Sequence, residues 1–166
     1  MPRQGMIGSG GGEVTAPTMI MNRLKQYKRQ LWRCPKCGHR FVGRNMWHSC
    51  GRHRLAGHFR GQSAALRQTF AAFVAAARTC GPVTVYAQQT RIVLQGRVRF
   101  AGAVVHRQWL DVGLWLRRRA GHPLLTRIES FGRLGYGHHF RLRTAADVDK
   151  ALVRLMREAY VVGQQD

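Results

Sequence analysis

Residues 83–106 read V-T-V-Y-A-Q-Q-T-R-I-V-L-Q-G-R-V-R-F-A-G-A-V-V-H. Apolar residues alternate with polar ones at a period of two, so V-T-V-Y-A, T-R-I-V-L-Q-G-R-V-R-F and A-V-V-H read as successive strands. The pattern resumes in W-L-D-V-G-L-W-L-R (109–117), T-R-I-E-S-F (126–131) and G-H-H-F-R-L-R (137–143). Connections this short cannot carry crossover helices, which predicts an antiparallel sheet. In the run 90–100, Ile92, Leu94, Val98 and Phe100 fall on one face. Arg91, Gln95, Arg97 and Arg99 fall on the other with Val93, an arginine row suited to a polyanion and equally to a solvated outer face.

The period changes to 3.6 on either side of these strands. Ser63 is a good N-cap for a helix running to Cys80 and closed by Gly81-Pro82, with Leu66, Phe70, Phe73, Val74 and Ala77 as its apolar stripe. Cys80, without a partner nearby in sequence, reads as a buried thiol. Thr144 and Asp147 have capping-box spacing at the start of a last helix, whose stripe is Val148, Ala151, Leu152, Leu155 and Ala159.

Ahead of all this lies W-R-C-P-K-C-G-H-R-F-V-G-R-N-M-W-H-S-C, from Trp32 to Cys50. Cys34 and Cys37 stand two residues apart, and Gly38 follows where a tight turn needs positive φ. The second half of a tetrahedral site has two solutions. His48 with Cys50 gives C-x2-C-x10-H-x-C; Cys50 with His53 gives C-x2-C-x12-C-x2-H, and spacing alone does not choose. A disulfide is disfavoured because nothing sends the chain to an oxidising compartment. Either ligand set predicts a structural Zn2+ whose binding supplies folding energy to a head with only Trp32, Phe41 and Trp47 as a miniature core.

The predicted fold class is therefore α+β: a small zinc-ribbon or knuckle head, then an antiparallel sheet domain flanked by two helices. The divisions are a glycine-rich disordered leader at 1–18, the zinc-knuckle head at 19–54 and the α+β domain at 55–166. Basic residues from Arg23 to Arg33 surround Leu24, Tyr27, Leu31 and Trp32, as in a short helix entering the head. No apolar run reaches membrane-spanning length and no signal-peptide pattern is present, so the expected location is the cytoplasm.

Charge decides the expected partner. With 28 Lys and Arg against 7 Asp and Glu, the net charge is +21. Such a surface attracts polyanions, so nucleic acid, DNA or RNA, is the expected partner and an acidic protein the alternative. Candidate contacts are Arg91, Arg97 and Arg99 of the strand run, Arg117, Arg118 and Arg119 of the R-R-R-A-G-H-P loop, and Arg40 and Arg44 of the head. His58 lies in the connector and is a weak ligand candidate. Asp111, Glu129, His138 and His139 are the only acid, base or ligand set available to an enzyme such as a nuclease or phosphate-ester hydrolase. No nucleophile elbow, P-loop or H-E-x-x-H accompanies them, so an accessory, non-catalytic protein is the expectation.

Several of these segments also form a familiar set: W-x-C-P-x-C-G-x-x-F with H-S-C-G, H-F-x-G, T-R-I-V-L-Q-G-R-V-R-F-A, W-L, H-P, R-I-E-S-F and R-E-A-Y. The chain resembles bacterial members of the domain-of-unknown-function family 5655 that carry an N-terminal zinc-knuckle head, from Leu31 to Gly163. The resemblance implies a compact α+β domain and favours His48 over His53, because the H-S-C step belongs to the family pattern. It also implies interest in the second-strand arginines and His139, and it supplies no activity.

Overall fold

A computed structural model describes residues 30–44, 46, 48–51 and 53–165. The expected leader, most of the basic segment before the head, Trp47 and Arg52 lie outside the described residues.

The head begins with a two-stranded ladder. Strands β1 (Trp32–Arg33) and β2 (Arg40–Phe41) pair antiparallel, Trp32 opposite Phe41. Helix α1 (Leu55–His58) follows, then α2 (Ala64–Arg78), whose first turn is capped by Ser63: its Oγ accepts from the Leu66 N–H at 3.2 Å. The stripe forms with one exchange, since Thr69 is fully buried while Phe70 packs at the core's margin. Thr69 tolerates burial because its hydroxyl donates to the Ala65 carbonyl at 2.8 Å.

Six strands follow: β3 (Thr84–Ala87), β4 (Ile92–Gln95), β5 (Arg99–Val105), β6 (Leu110–Leu116), β7 (Leu125–Ser130) and β8 (Tyr136–Leu142). They form one antiparallel sheet in the order β3-β4-β5-β6-β8-β7. The sequence run 90–100 is thus a hairpin and not one strand. The chain reverses at Gly96, a bulge shifts the register at Leu94/Gln95, and β5 runs unbroken through Ala101-Gly102. A Cβ at Gly96 would lie 2.4 Å from Nε2 at the tip of the Gln164 side chain, which packs over the turn. Gln95, assigned to the polar face, is buried, and its side-chain amide donates to the carbonyls of Arg97 at 3.1 Å and Arg40 at 3.2 Å. The expected single-strand arginine row therefore does not exist. Arg91 precedes β4, Arg97 occupies the turn with Nε donating to Gln165 Oε1 at 3.3 Å, and Arg99 opens β5.

Helix α3 (Lys150–Gln164) starts later than Thr144 suggests. Asp147 does accept from the Thr144 N–H at 2.9 Å, but the element it caps is a 3-10 turn over Ala145–Asp147. A second acid, Asp149, caps α3 itself by accepting from the Leu152 N–H at 2.7 Å. Helix α3 then passes so close to β5 that a Cβ at Gly163 would fall 2.6 Å from Phe100 Cβ.

Both long helices cover one face of the sheet. Strand β6 shows the division in alternation: Leu110, Val112, Leu114 and Leu116 are buried, while Asp111, Gly113 and Trp115 between them are half-exposed. Phe73, Phe100, Phe140, Leu142, Leu152 and Met156 complete the sealed side. The other face stays open, and it is where the charged groups gather. No helix among the described residues is long and apolar enough to cross a membrane.

Candidate metal centre and arginine-lined groove

Two turns of the head bring the ligands together. Gly38 takes φ +74° and donates to the Cys34 carbonyl at 2.8 Å, so Cys34 and Cys37 face one point. His48 and Cys50, in irregular chain after the second turn, come to the same point. One ligand atom from each of Cys34, Cys37, His48 and Cys50 lies within 4.8 Å of every other. Cys34 Sγ and Cys50 Sγ are 3.7 Å apart. That is too long for a disulfide and close to the ~3.8 Å edge of a tetrahedron with ~2.3 Å metal–sulfur bonds. His48 Nδ1 donates to the Met46 carbonyl at 2.8 Å, which fixes the tautomer and leaves Nε2, 3.0 Å from Cys50 Sγ, free to bind. The residues therefore fit a four-coordinate metal, and three thiolate donors with one imidazole suit a soft or borderline ion.

The electrostatics agree with the geometry. The Cys37 backbone N–H, with the His48 hydrogen bond in support, lowers the Cys34 thiol to about 6. Burial first, then the neighbouring Cys34 and Cys37 sulfurs, push Cys50 up. His48 is raised, chiefly by its bond to Met46. Without a cation the neighbouring sulfurs oppose the ionisation of Cys50; a bound cation removes that opposition. His53 is elsewhere: its Nε2 meets Ser49 Oγ at 2.8 Å. His58 is also outside the cluster and donates from Nε2 to the Gln88 carbonyl at 2.8 Å.

The head seats on the sheet through rings and backbone. His39 stacks on Tyr86 with centroids 3.7 Å apart, and His53 forms a bridge with Ala87. Loss of hydration in this contact pushes the Tyr86 hydroxyl up to about 12. A groove of about 320 Å³ opens beside the contact. Phe41, Val42 and Arg40 of the head line one side; Trp115, Arg99 and Arg117 of the sheet domain line the other. Arg99 has exposed area, yet its guanidinium loses enough hydration, with Arg91's like charge adding, that its pKa is lowered.

The eight candidate arginines thus separate. Arg40, Arg99 and Arg117 meet in the groove, and Arg91 and Arg99 edge a second hollow on the open face of the sheet. Arg44 lies exposed on the head. The triple-arginine loop is not one patch: Arg118 grips Glu158 with two bonds of 2.7 and 3.0 Å, and Arg119 lies 5.2 Å over the Tyr136 ring. His122 of the same loop is held by Asp149 at 3.2 Å.

The acid and histidine set also divides. Asp111 Oδ1 lies 3.1 Å from His139 Nδ1, and Glu129 Oε2 lies 3.7 Å from His139 Nε2. Arg127, which sequence reasoning passed over, bonds Glu129 at 3.0 Å and completes the group. His138 points the other way. It is fully buried on the helix side, stacked on Phe140, where Nε2 accepts from the Ala120 N–H at 3.0 Å. Burial lowers its pKa, so it is a neutral packing residue and not a partner of the group on the open face. Trp115 and Phe131, with centroids 4.6 Å apart, were likewise missed, although the alternation of W-L-D-V-G-L-W-L-R does put Asp111 and Trp115 on one face.

Fold and site together define a class: an antiparallel α+β domain carrying a Cys3His metal-ligand head. A family profile described as Domain of unknown function (DUF5655) matches residues 55–163, and the chain belongs to that family. The match begins at α1, so the metal head lies outside it and stands on its own geometry. No curated protein and no solved structure matches the chain.

Proposed function

We propose that this is a zinc-containing basic protein that binds single-stranded nucleic acid in the groove between its metal head and its sheet. One observation carries the reading: arginines from two separate parts of the chain, Arg40 and the pair Arg99 and Arg117, line a single groove that also holds Phe41 and Trp115. Phosphates want guanidinium groups spaced along a channel, and unstacked bases want aromatic faces beside them. A net charge of +21 supplies the long-range attraction. Zinc is the metal that best suits three thiolates and an imidazole in tetrahedral array, and four protein ligands leave no open position, so its role is structural.

The test is a titration of a single-stranded oligonucleotide across salt. Three phosphate contacts give a slope of about −2 in log affinity against log salt, an about twenty-fold loss between ~50 and ~200 mM. Arg40→Ala and Arg99→Ala each flatten that slope by about 0.7. Affinity that ignores salt overturns the reading. Co-purification of a stoichiometric acidic polypeptide, resistant to nuclease, assigns the groove to a protein instead.

A further inference from the structure

The open face of the sheet holds a basin of about 250 Å³ whose floor is bare backbone. Register sets Gly102 opposite Gly113, and Gly113 opposite His139. Gly102 has a packing reason, because a Cβ there would lie 3.0 Å from the Ile92 carbonyl oxygen. Gly113 has none. It sits mid-strand, where glycine weakens pairing, its φ is not positive, and a Cβ built on it meets nothing within 4 Å. What a side chain at 113 would occupy is the basin.

The walls differ in chemistry. Arg91 and Arg99 stand on the β4/β5 side, and Asp111 and His139 face them from β6 and β8. Trp115 closes one end with Phe131 tilted against it. Inorganic phosphate would satisfy the arginines and leave it beside the carboxylates of Asp111 and Glu129. A purely apolar ring would waste both walls. A planar base with N–H donors, joined through a sugar to a phosphate, uses every side: carboxylate acceptors for the base edge, indole beside it, bare floor beneath and guanidinium groups for the phosphate.

We propose that this basin binds one nucleotide, its base over Gly102 and Gly113 with Asp111 accepting from the base edge, and its phosphate on Arg91 and Arg99. Arg99 and Trp115 line the groove as well, so the two hollows adjoin, and the basin would receive one unstacked unit of a strand bound in the groove. In that respect the inference deepens the nucleic-acid reading, and the two are separable by experiment.

The metal-loaded full chain is titrated calorimetrically with AMP, GMP, CMP and UMP and with ribose 5-phosphate, and in parallel by anisotropy with a single-stranded oligonucleotide. At least one nucleoside monophosphate is expected to saturate a single site about tenfold more tightly than ribose 5-phosphate. Gly113→Val fills the floor with a strand-favouring side chain, so it should cost at least about tenfold in monophosphate affinity while Tm holds or rises. Gly113→Ala gives a smaller loss and serves if the valine variant does not fold. Arg91→Ala and Asp111→Asn should each weaken the same binding. Ribose 5-phosphate equal to every monophosphate, or monophosphate affinity indifferent to filling position 113, overturns the inference. Oligonucleotide binding with no monophosphate binding overturns the basin and leaves the groove standing; the converse overturns the groove and leaves the basin; binding of neither overturns both.

Discussion

The head and the sheet domain differ most in what lies inside them. Among the described residues of the head, Cys34 alone is buried, and Trp32 and Phe41 are only half-covered. The sheet domain seals Phe73, Phe100, Phe140, Met156 and leucines of α2, β4, β6, β8 and α3 away from water. The described residues of the head converge on four ligand atoms with little apolar burial; those of the sheet domain enclose a continuous apolar core. Metal binding in the head and apolar burial in the sheet are therefore different forces acting in one chain, and each can be removed without the other.

Chelation is the most severe way to break the comparison. A structural metal of the zinc type contributes about 10–16 kcal/mol in small metal domains, so removing the ion from the Cys3His site should erase amide protection in the head while α2, α3 and the central strands keep theirs. Hydrogen exchange resolves the two regions, and simultaneous loss of protection in both would show that the sheet depends on the head. Next in size is Phe73→Ala, which empties a fully buried site on α2. Urea unfolding should record a loss of about 3–5 kcal/mol, with the metal content unchanged.

A gentler probe is pH. His138 is held neutral in the core, its pKa below the usual 6.5. Between that lowered value and 6.5 the unfolded chain binds a proton that the folded chain refuses. Stability from this group is full above 6.5 and is lost progressively as pH falls below it. His138→Gln should flatten that part of the urea-midpoint profile. Smallest is Arg118→Ala: the pair with Glu158 is exposed on both sides, and no change in the unfolding midpoint is expected beyond measurement error.

How much of this was legible in the sequence depends on how local the cause is. The Cys34–Cys37 knuckle, the Ser63 cap and, with Thr69 taking the place expected of Phe70, the α2 stripe are set by neighbours in the chain and stand where the spacing puts them. The choice between His48 and His53 needed the family resemblance, and the structure adds the reason: His48 is steered inward by its bond to Met46, while Ser49 holds His53 away. The 90–100 run misled because its alternation continues across Gly96, where the chain reverses: the Gly96 N–H donates to the Val98 carbonyl at 3.1 Å, and the Val98 N–H in turn donates to the carbonyl of Gly163, far along the chain. The Thr144–Asp147 box caps only a 3-10 turn, and Asp149, not singled out in the sequence, caps α3. The group of Asp111, Glu129 and His139 was named residue by residue, but its assembly depends on β8 entering between β6 and β7. Arg118 was lost to Glu158 for the same kind of reason, a contact set by the packing of α3.

The free edge of β3 is where residues 53 to 58 rest, with His53 bridging Ala87 and His58 bonding the Gln88 carbonyl. An unguarded outer strand invites its counterpart from another molecule, whereas β7 at the far margin carries Arg127 and Glu129 as deterrents. Stripping the ion would loosen the segment guarding β3, and the demetallated protein should then clump through that side at concentrations where the loaded one stays dispersed.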